Sequence, residues 1–349
     1  MKSSYISTLS WTTSALSTMS RLQGEISKTT AEVATGRHAD VGLTLGLKTG
    51  QSVSLYATKA AIDAQQNSNT FASTVVKGSQ TVLSQVRTNA NSILQELVTA
   101  TSSSGDNKNV VSQAGDALST LIDNLNTSDG QRYLFAGTNS SVAPMVSYEN
   151  GPEAAVKAAF ATAFGLNPTD PASDPAVVNI TADQMNTFLD GAFANLFADP
   201  AWGTTWSNAS DQPLTSQVSS TQRANISTTT NIDAVRNLTM ALTMVSKLGL
   251  TGMAAETQQA VIEKARTLTG ASVSQLTRES ASLGVTQNRI TQSNEVLSSA
   301  STLVDSKITS LEGVDTAEAK TRLDNMTTQL QMSYSTTAKL MQLSLLNYV

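Results

Sequence analysis

Counting from Leu276, the residues Leu283, Ile290, Leu297, Val304 and Leu311 recur at a strict seven-residue spacing. That spacing lays one apolar row along a single long helix. The second seam such a helix needs is polar: Ser280, Gln287, Asn294 and Ser301, with Ile308 its one apolar member. A row this narrow builds no core alone. It must lie against other helices, from this chain or from its copies. The polar seam is then expected to be semi-exposed in one chain and to meet a neighbouring subunit in an assembly.

The partners are sought in the rest of the chain, whose 349 residues suffice for two or three domains. Hydrophobic residues make up 40%, enough for a core, while charged residues make up only 14%, against roughly 25% in ordinary globular proteins. Net charge is -5 with no basic run, so binding to nucleic acid through its phosphates has little support. No uncharged apolar segment approaches the ~18 residues of a membrane span. The start, Met1-Lys2-Ser3-Ser4-Tyr5, leads into no apolar h-region, so a cleaved secretory signal is not expected. Cysteine is absent, which removes disulfides, thiol chemistry and thiolate metal sites. Chance in a reducing cytoplasm and export as an unfolded chain both accommodate that absence.

A first helix is expected from about Ser4 to Thr35. Leu9 and Leu16 occupy one heptad position and Met19, Ile26 and Val33 the other, with Gly36 as C-cap. Residues 36–50, with glycines at 36, 42, 46 and 50, read as a loop with a short extended piece. A second helix runs from about Ser52 to Ala100. Its expected inward face is Val53, Ala57, Ala60, Ala64, Asn67, Phe71, Val75, Gly78, Val82, Val86, Asn89, Ile93, Leu97 and Ala100, a period near 3.6. Ala60, Ala64 and Gly78 would let another helix approach, which makes this the expected partner of the Leu276–Leu311 row. A shorter helix follows over Val110–Asn126, with Ala114, Leu118, Leu121, Ile122 and Leu125 inward.

All seven prolines lie between Pro144 and Pro213, and five of the seven phenylalanines between Phe160 and Trp206. Proline inside a helix costs about 3 kcal/mol, so residues 138–224 form an expected insert of different character. Strands are expected at Val142–Tyr148 and Val177–Thr181, and a helix at Ala182–Phe197 with Met185, Phe188, Leu189, Phe193 and Leu196 on one side. The proline-free style then returns. Ile232–Leu248 is a helix with Val235, Leu238, Leu242 and Val245 inward, and Thr257–Leu311 is the heptad helix. After Gly313, Asp315 and Glu318 resemble a capping box. A last helix carries Leu323, Met326, Leu330, Tyr334, Met341, Leu345 and Tyr348 on one face.

The expected fold is mainly α. The N- and C-terminal arms make an antiparallel coiled-coil rod of long helices, with a smaller mixed α/β or β-rich domain inserted at its tip. Residues 1–48 and 312–349 would be a terminal assembly region, 49–137 and 225–311 the rod, and 138–224 the outer domain. The polar, uncharged outer faces of the arms suit packing against identical copies. Serine and threonine are poor helix formers, by roughly half a kcal/mol each against alanine, so isolated arms are expected to gain order from neighbours.

Catalytic chemistry finds little footing. The one histidine, His38, lies in the glycine-rich loop, and nothing around the many hydroxyls reads as a nucleophile elbow. No phosphate-cradling glycine loop occurs. Asp170, Asp174 and Asp183 fit no calcium-loop spacing and read as solvated loop residues. Trp202 and Trp206 fit buried core of the insert better than a platform for a sugar.

Several segments together resemble one family. Leu283-Gly284-Val285-Thr286-Gln287-Asn288-Arg289-Ile290 is similar to the C-terminal signature of the flagellin superfamily. Ser333-Tyr334-Ser335-Thr336-Thr337-Ala338-Lys339-Leu340, closing in Leu343-Ser344-Leu345-Leu346-Asn347-Tyr348-Val349, resembles its terminal assembly helix. Glu32-Val33-Ala34-Thr35-Gly36-Arg37 resembles the helix end that precedes the family's first loop. The loop itself, His38-Ala39-Asp40-Val41-Gly42-Leu43-Thr44-Leu45-Gly46, departs from the family's Asp-Asp-rich pattern. Arg132-Tyr133-Leu134-Phe135-Ala136-Gly137-Thr138 resembles the motif that closes the N-terminal rod of the hook-associated junction proteins, with Leu134, Phe135 and Gly137 as its key positions.

The resemblance covers about 1–138 and 225–349 and not the insert. It implies a structural, non-catalytic protein of the bacterial flagellum with no cofactor. Such a chain is exported unfolded by the flagellar type III apparatus, held beforehand by a cytoplasmic export chaperone. It then sits outside the cell at the hook–filament junction, as a ring of its own copies between hook-associated protein 1 and flagellin. Assembly and packing would rest on Leu9, Leu16, Met19, Ile26 and Val33 at one end. At the other they would rest on Leu276, Leu283, Ile290, Leu297, Val304, Leu311, Leu323, Leu330, Tyr334, Leu340 and Leu345. Flagellin itself is the near alternative. A secreted adhesin or carbohydrate-binding module, with the aromatic insert as its site, is a more distant one.

Overall fold

A computed structural model describes residues 8–101 and 107–346, with side chains for 13–100, 107–339 and Gln342. It is mainly α-helical. The helices are α1 (Thr8–Thr35), α2 (Val41–Leu45), α3 (Thr49–Thr101), α4 (Lys108–Leu125), α5 (Pro152–Phe164), α6 (Ala182–Asp190), α7 (Asp233–Lys247), α8 (Ala255–Glu312) and α9 (Thr316–Leu346). One antiparallel ribbon joins β1 (Thr215–Gln217) to β2 (Arg223–Asn225), with Ser216 opposite Ala224. The chain divides into two compact units, 1–64 with 296–349, and 65–295. These breaks differ from the boundaries expected at 48, 137, 224 and 311, because α3 and α8 are uninterrupted helices that contribute to both units.

In the unit formed by 1–64 and 296–349, α1 pairs antiparallel with α9. The glycine-rich segment after α1 begins with a short extended piece, where Arg37 bridges Gly313, and then turns helical. Asp40 Oδ1 accepts from Leu43 N and starts α2, and a short 3-10 turn at Gly46–Lys48 leads into α3. Asp315 starts α9 by accepting from the N–H groups of Ala317 and Glu318. The capping box stays half-made, because the Glu318 carboxylate pairs instead with Arg322, 2.9 Å away. A small apolar cluster of Ile62, Val304 and Ile308, with Leu55, Leu297 and Ala300 against it, packs α3 on α8 here.

The unit 65–295 has one continuous core, from Ala72 to Ile290. Its centre is α7, buried on most of its circumference rather than on the single expected face. Thr239 and Thr243 are accommodated there because each hydroxyl donates to a carbonyl one turn back, Val235 O at 2.8 Å and Thr239 O at 2.7 Å. Helix α4 packs along α7 with Ala114, Leu118, Leu121, Ile122 and Leu125 buried.

Segment 138–224 adds an aromatic chain to this same core. Phe160, Phe188, Phe193, Phe197 and Trp206 follow one another at centroid distances of 5.7, 5.6, 5.1 and 4.9 Å. The expected strands at 142–148 and 177–181 are absent: Tyr148–Asn150 and Pro175–Asn179 are 3-10 turns. Proline at 175 removes the donor a ladder needs, and Asp174 caps the turn by accepting from Ala176 N. The expected helix to Phe197 stops at Asp190, where Gly191 breaks it, and a 3-10 turn carries Ala194–Phe197.

Candidate assembly surface

The terminal pair has two seams on each helix, at alternating steps of four and three. On α1 the inward residues are Ala15, Met19, Leu22, Ile26, Thr29 and Val33. On α9 they are Ala319, Leu323, Met326, Leu330, Ser333 and Thr337. This is coiled-coil spacing, and both seams are only partly apolar. Met19, Ile26, Val33, Leu323 and Leu330 therefore lie where the sequence places them. Leu16 does not: it is 57% exposed, and Leu22, at 7%, takes the second seam instead. Tyr334 flanks the α9 seam, with its hydroxyl accepting from Gln23 Nε2 at 2.7 Å. The side chains of Leu9, Leu340 and Leu345, like those of Met341 and Tyr348, lie outside the described residues. Toward this end an open groove of about 540 Å³ runs between the helices, lined by Ala15, Thr18, Leu22, Met332 and Ser333 among others.

At the other end of the pair the chain is knotted by polar contacts. Gly36, at φ +68°, ends α1 and lets its carbonyl accept from Val314 N at 3.0 Å, while His38 N donates to Glu312 O at 2.9 Å. The Glu312 carboxylate is buried at the end of α8 and receives Arg37, the Ser52 hydroxyl and, at 3.0 Å, the Tyr56 hydroxyl. Burial pushes this carboxyl up, but the bonds from Ser52, Tyr56 and Arg37 outweigh it and hold it below the ordinary glutamate value. The same environment, burial first and then the bond to Glu312, raises the Tyr56 phenol. One carboxylate thus ties the end of α1, the start of α3 and the end of α8. The sequence offered no periodic signal for it, since its partners stand 256 and more positions away.

The row that predicts a long helix faces inward on α8. Leu276, Leu283, Ile290 and Val304 are buried, and Leu297 and Leu311 half-buried. Its partner α3 contributes the expected face only from Val75 on, where Val75, Val82, Val86, Ile93, Leu97 and Ala100 are buried and Gly78 and Asn89 half-buried. Val53, Ala57, Ala60, Ala64, Asn67 and Phe71 are exposed. The inward row is Leu55, Ile62, Asn69, Val76, Leu83, Ala90 and Leu97, again at a strict seven. Gly78 is close not to a helix but to Leu134, whose Cδ1 would lie 3.2 Å from an added Cβ.

The polar seam of α8 is half-exposed at Ser280, Gln287, Asn294 and Ser301, as expected. Within the unit 65–295 it also meets α3 of the same chain. Asn69 Nδ2 donates to Asn294 Oδ1 at 2.9 Å, Gln287 Nε2 to Ser73 Oγ at 3.0 Å, and Gln80 Nε2 to Ser280 O at 3.5 Å.

The segment Arg132–Thr138 folds as a plug. Leu134, Phe135 and Ala136 are buried. Thr230 N donates to Phe135 O at 3.1 Å and Ser210 N to Ala136 O at 3.0 Å. Gly137 adopts φ +60°, where an added Cβ would lie 2.5 Å from Gln212 O. Leu134, Phe135 and Gly137 are therefore packing positions that lock the segment after α4 against 207–212 and 228–230.

Chemical groups are spent on structure. His38 Nδ1 lies 3.7 Å from Glu32. Asp174 accepts from Asn167 N and Ala176 N, bonds that lower its carboxyl below the usual range. Trp202 and Trp206 are fully buried, which removes them as a sugar platform. Among the described residues no group of histidine and carboxylates is placed to hold a metal, and no helix is long and apolar enough to cross a membrane.

Comparison with known proteins agrees with this architecture. The bacterial flagellin N-terminal helical region matches residues 6–140, and the bacterial flagellin C-terminal helical region matches 266–349. No curated protein matches the chain. A solved structure from Vibrio parahaemolyticus, provisionally described as a flagellar hook-associated protein, is similar in fold. Its TM-score is 0.53 at 10% identity, over 75% of this chain and 96% of that one. The two matched regions hold both halves of the terminal pair and most of α3 and α8, so the elements that the seams bring together are those that the family shares: the chain belongs to the flagellin family, structural proteins of the bacterial flagellum.

Proposed function

We propose that this protein is the filament-side junction protein of the flagellum, a counterpart of hook-associated protein 3. The observation that carries the reading is the Arg132–Thr138 plug, whose sequence resembles the junction proteins. On this reading copies of the chain form a ring beyond hook-associated protein 1 and receive the first flagellin subunits. The interfaces are heterologous, with a different partner at each axial end. The chain leaves the cell through the type III export apparatus after release from a cytoplasmic chaperone. Residues 1–48 and 312–349 act as the assembly region, 49–137 and 225–311 as the rod, and 138–224 as the outward domain. The assembly contacts fall to the terminal seams of α1 and α9, continued by Leu9, Leu340 and Leu345.

Flagellin is the second reading, favoured by the family matches on both arms. Electron microscopy of cells lacking the protein separates them. Hooks with no filament, and flagellin free in the medium, are expected for a junction protein. Purified chain that seeds into long filaments by itself would identify a filament subunit and overturn the proposal.

A further inference from the structure

The apolar rows of α3 and α8 repeat every seven residues, so they do not by themselves define how the two helices align. A slide of seven residues, about 10.5 Å along a helix, brings leucine and isoleucine against the same kinds of residue again. The flanking polar row is nearly as degenerate, since Gln66, Ser73 and Gln80 of α3 would meet Ser280, Gln287 or Asn294 after such a slide. One residue breaks the repeat. Asn69 stands in the apolar row of α3, fully buried. Its amide donates to Asn294 Oδ1 at 2.9 Å and to Val218 O at 3.1 Å, and its Oδ1 accepts from Gln65 Nε2 at 3.0 Å. Val218 is itself buried beside the β1–β2 ribbon, and its carbonyl also accepts from Ser293 Oγ at 2.7 Å.

We propose that Asn69 is a register-setting residue: its paired amide and the ribbon's Val218 carbonyl select one alignment of α3 on α8 from a series that the heptad rows leave open. A slide of one heptad brings Gln287 or Ser301 to the place of Asn294, but it parts Asn69 from the Val218 carbonyl, which Ser293 Oγ holds to α8. A buried amide that loses such a partner is costly, and that cost is what selects the alignment.

The chain has no cysteine, so paired cysteines introduced into the full-length protein report alignment without background. Ser73→Cys with Gln287→Cys reports the native alignment. Ser73→Cys with Ser280→Cys, and Gln80→Cys with Gln287→Cys, report slides of one heptad in either direction. With Asn69 intact, oxidation is expected at the native pair alone. With Asn69→Leu, helicity is expected to be kept or raised, while disulfide at the displaced pairs rises about tenfold. Should that variant not fold, Asn69→Leu combined with Asn294→Leu removes the stranded amide too and is read in the same way. Exclusive native crosslinking in a folded leucine variant, or equal crosslinking at all pairs with Asn69 intact, would overturn the proposal.

Discussion

At the scale of single residues, two positions carry weights that their side chains alone do not suggest. Gly137 is needed twice, for its left-handed backbone and for the space that Gln212 O and Ser210 O leave, 2.5 and 2.8 Å from an added Cβ. Both obstacles are backbone atoms and cannot rotate away. Gly137→Ala is expected to cost about 3 kcal/mol in urea unfolding. Gly130→Ala, at φ +94° with nothing within 4 Å, should cost only about 1 kcal/mol. Equal losses would show that the close approach is unimportant. Glu312 is the second case. Its folded carboxyl lies below its ordinary value, so the stability it contributes is fully present above the unfolded value of about 4.3. It is lost as pH falls through the lower folded value. Glu312→Gln should remove this part of the acid dependence below about pH 5, seen as a flatter unfolding-versus-pH curve than that of the unaltered protein. Parallel curves would exclude the role.

Among elements, the helices were legible and their faces less so. Breakers set the helix limits, and the long α8 and short α4 follow the expected spans closely. A face at a period of 3.6 drifts against a seam that repeats at 3.5, so the expected face of α3 meets the seam from Val75 to Ala100 and leaves it from Val53 to Phe71. Its true row holds 3.5 because the helix is paired along its length. Asn69 in that row looks like an interruption in a sequence, and only its partners show it as a core position. Helix α5 was missed altogether, although Gly151-Pro152-Glu153 and the closing Gly165 are its start and stop signals. Its alanines carry little apolar pattern. The Glu312 knot was invisible for a different reason, being a contact between distant segments with no spacing to read. The seam correction on α1 gives a prediction at this scale. Leu22→Ala should cost about 2–4 kcal/mol and speed hydrogen exchange along both α1 and α9. Leu16→Ala, on the exposed side, should stay within about 0.5 kcal/mol. A larger effect at Leu16 than at Leu22 would restore the original heptad assignment.

For the whole molecule, the contrast lies in how each unit is stabilised. The unit 65–295 has a continuous core with aromatic rings at its centre. The unit built from 1–64 and 296–349 has a three-residue buried cluster, half-polar seams and one buried carboxylate knot. Seams of that kind give a helix pair little independent stability, which suits a surface completed by neighbours. Removing residues 330–349 tests the consequence. It deletes Leu330, Ser333 and Thr337 from the α9 seam and leaves Ala15, Met19 and Leu22 of α1 uncovered. The core of 65–295 loses none of its residues, so near-ultraviolet circular dichroism from its tryptophans should be nearly unchanged. Assembly onto hooks should fail and cells should not swim. The protein should still be found in the medium, because the export signal in this reading is N-terminal. Swimming at the normal rate with the truncated chain would remove the terminal pair from the assembly surface, whichever of the two flagellar roles the protein fills.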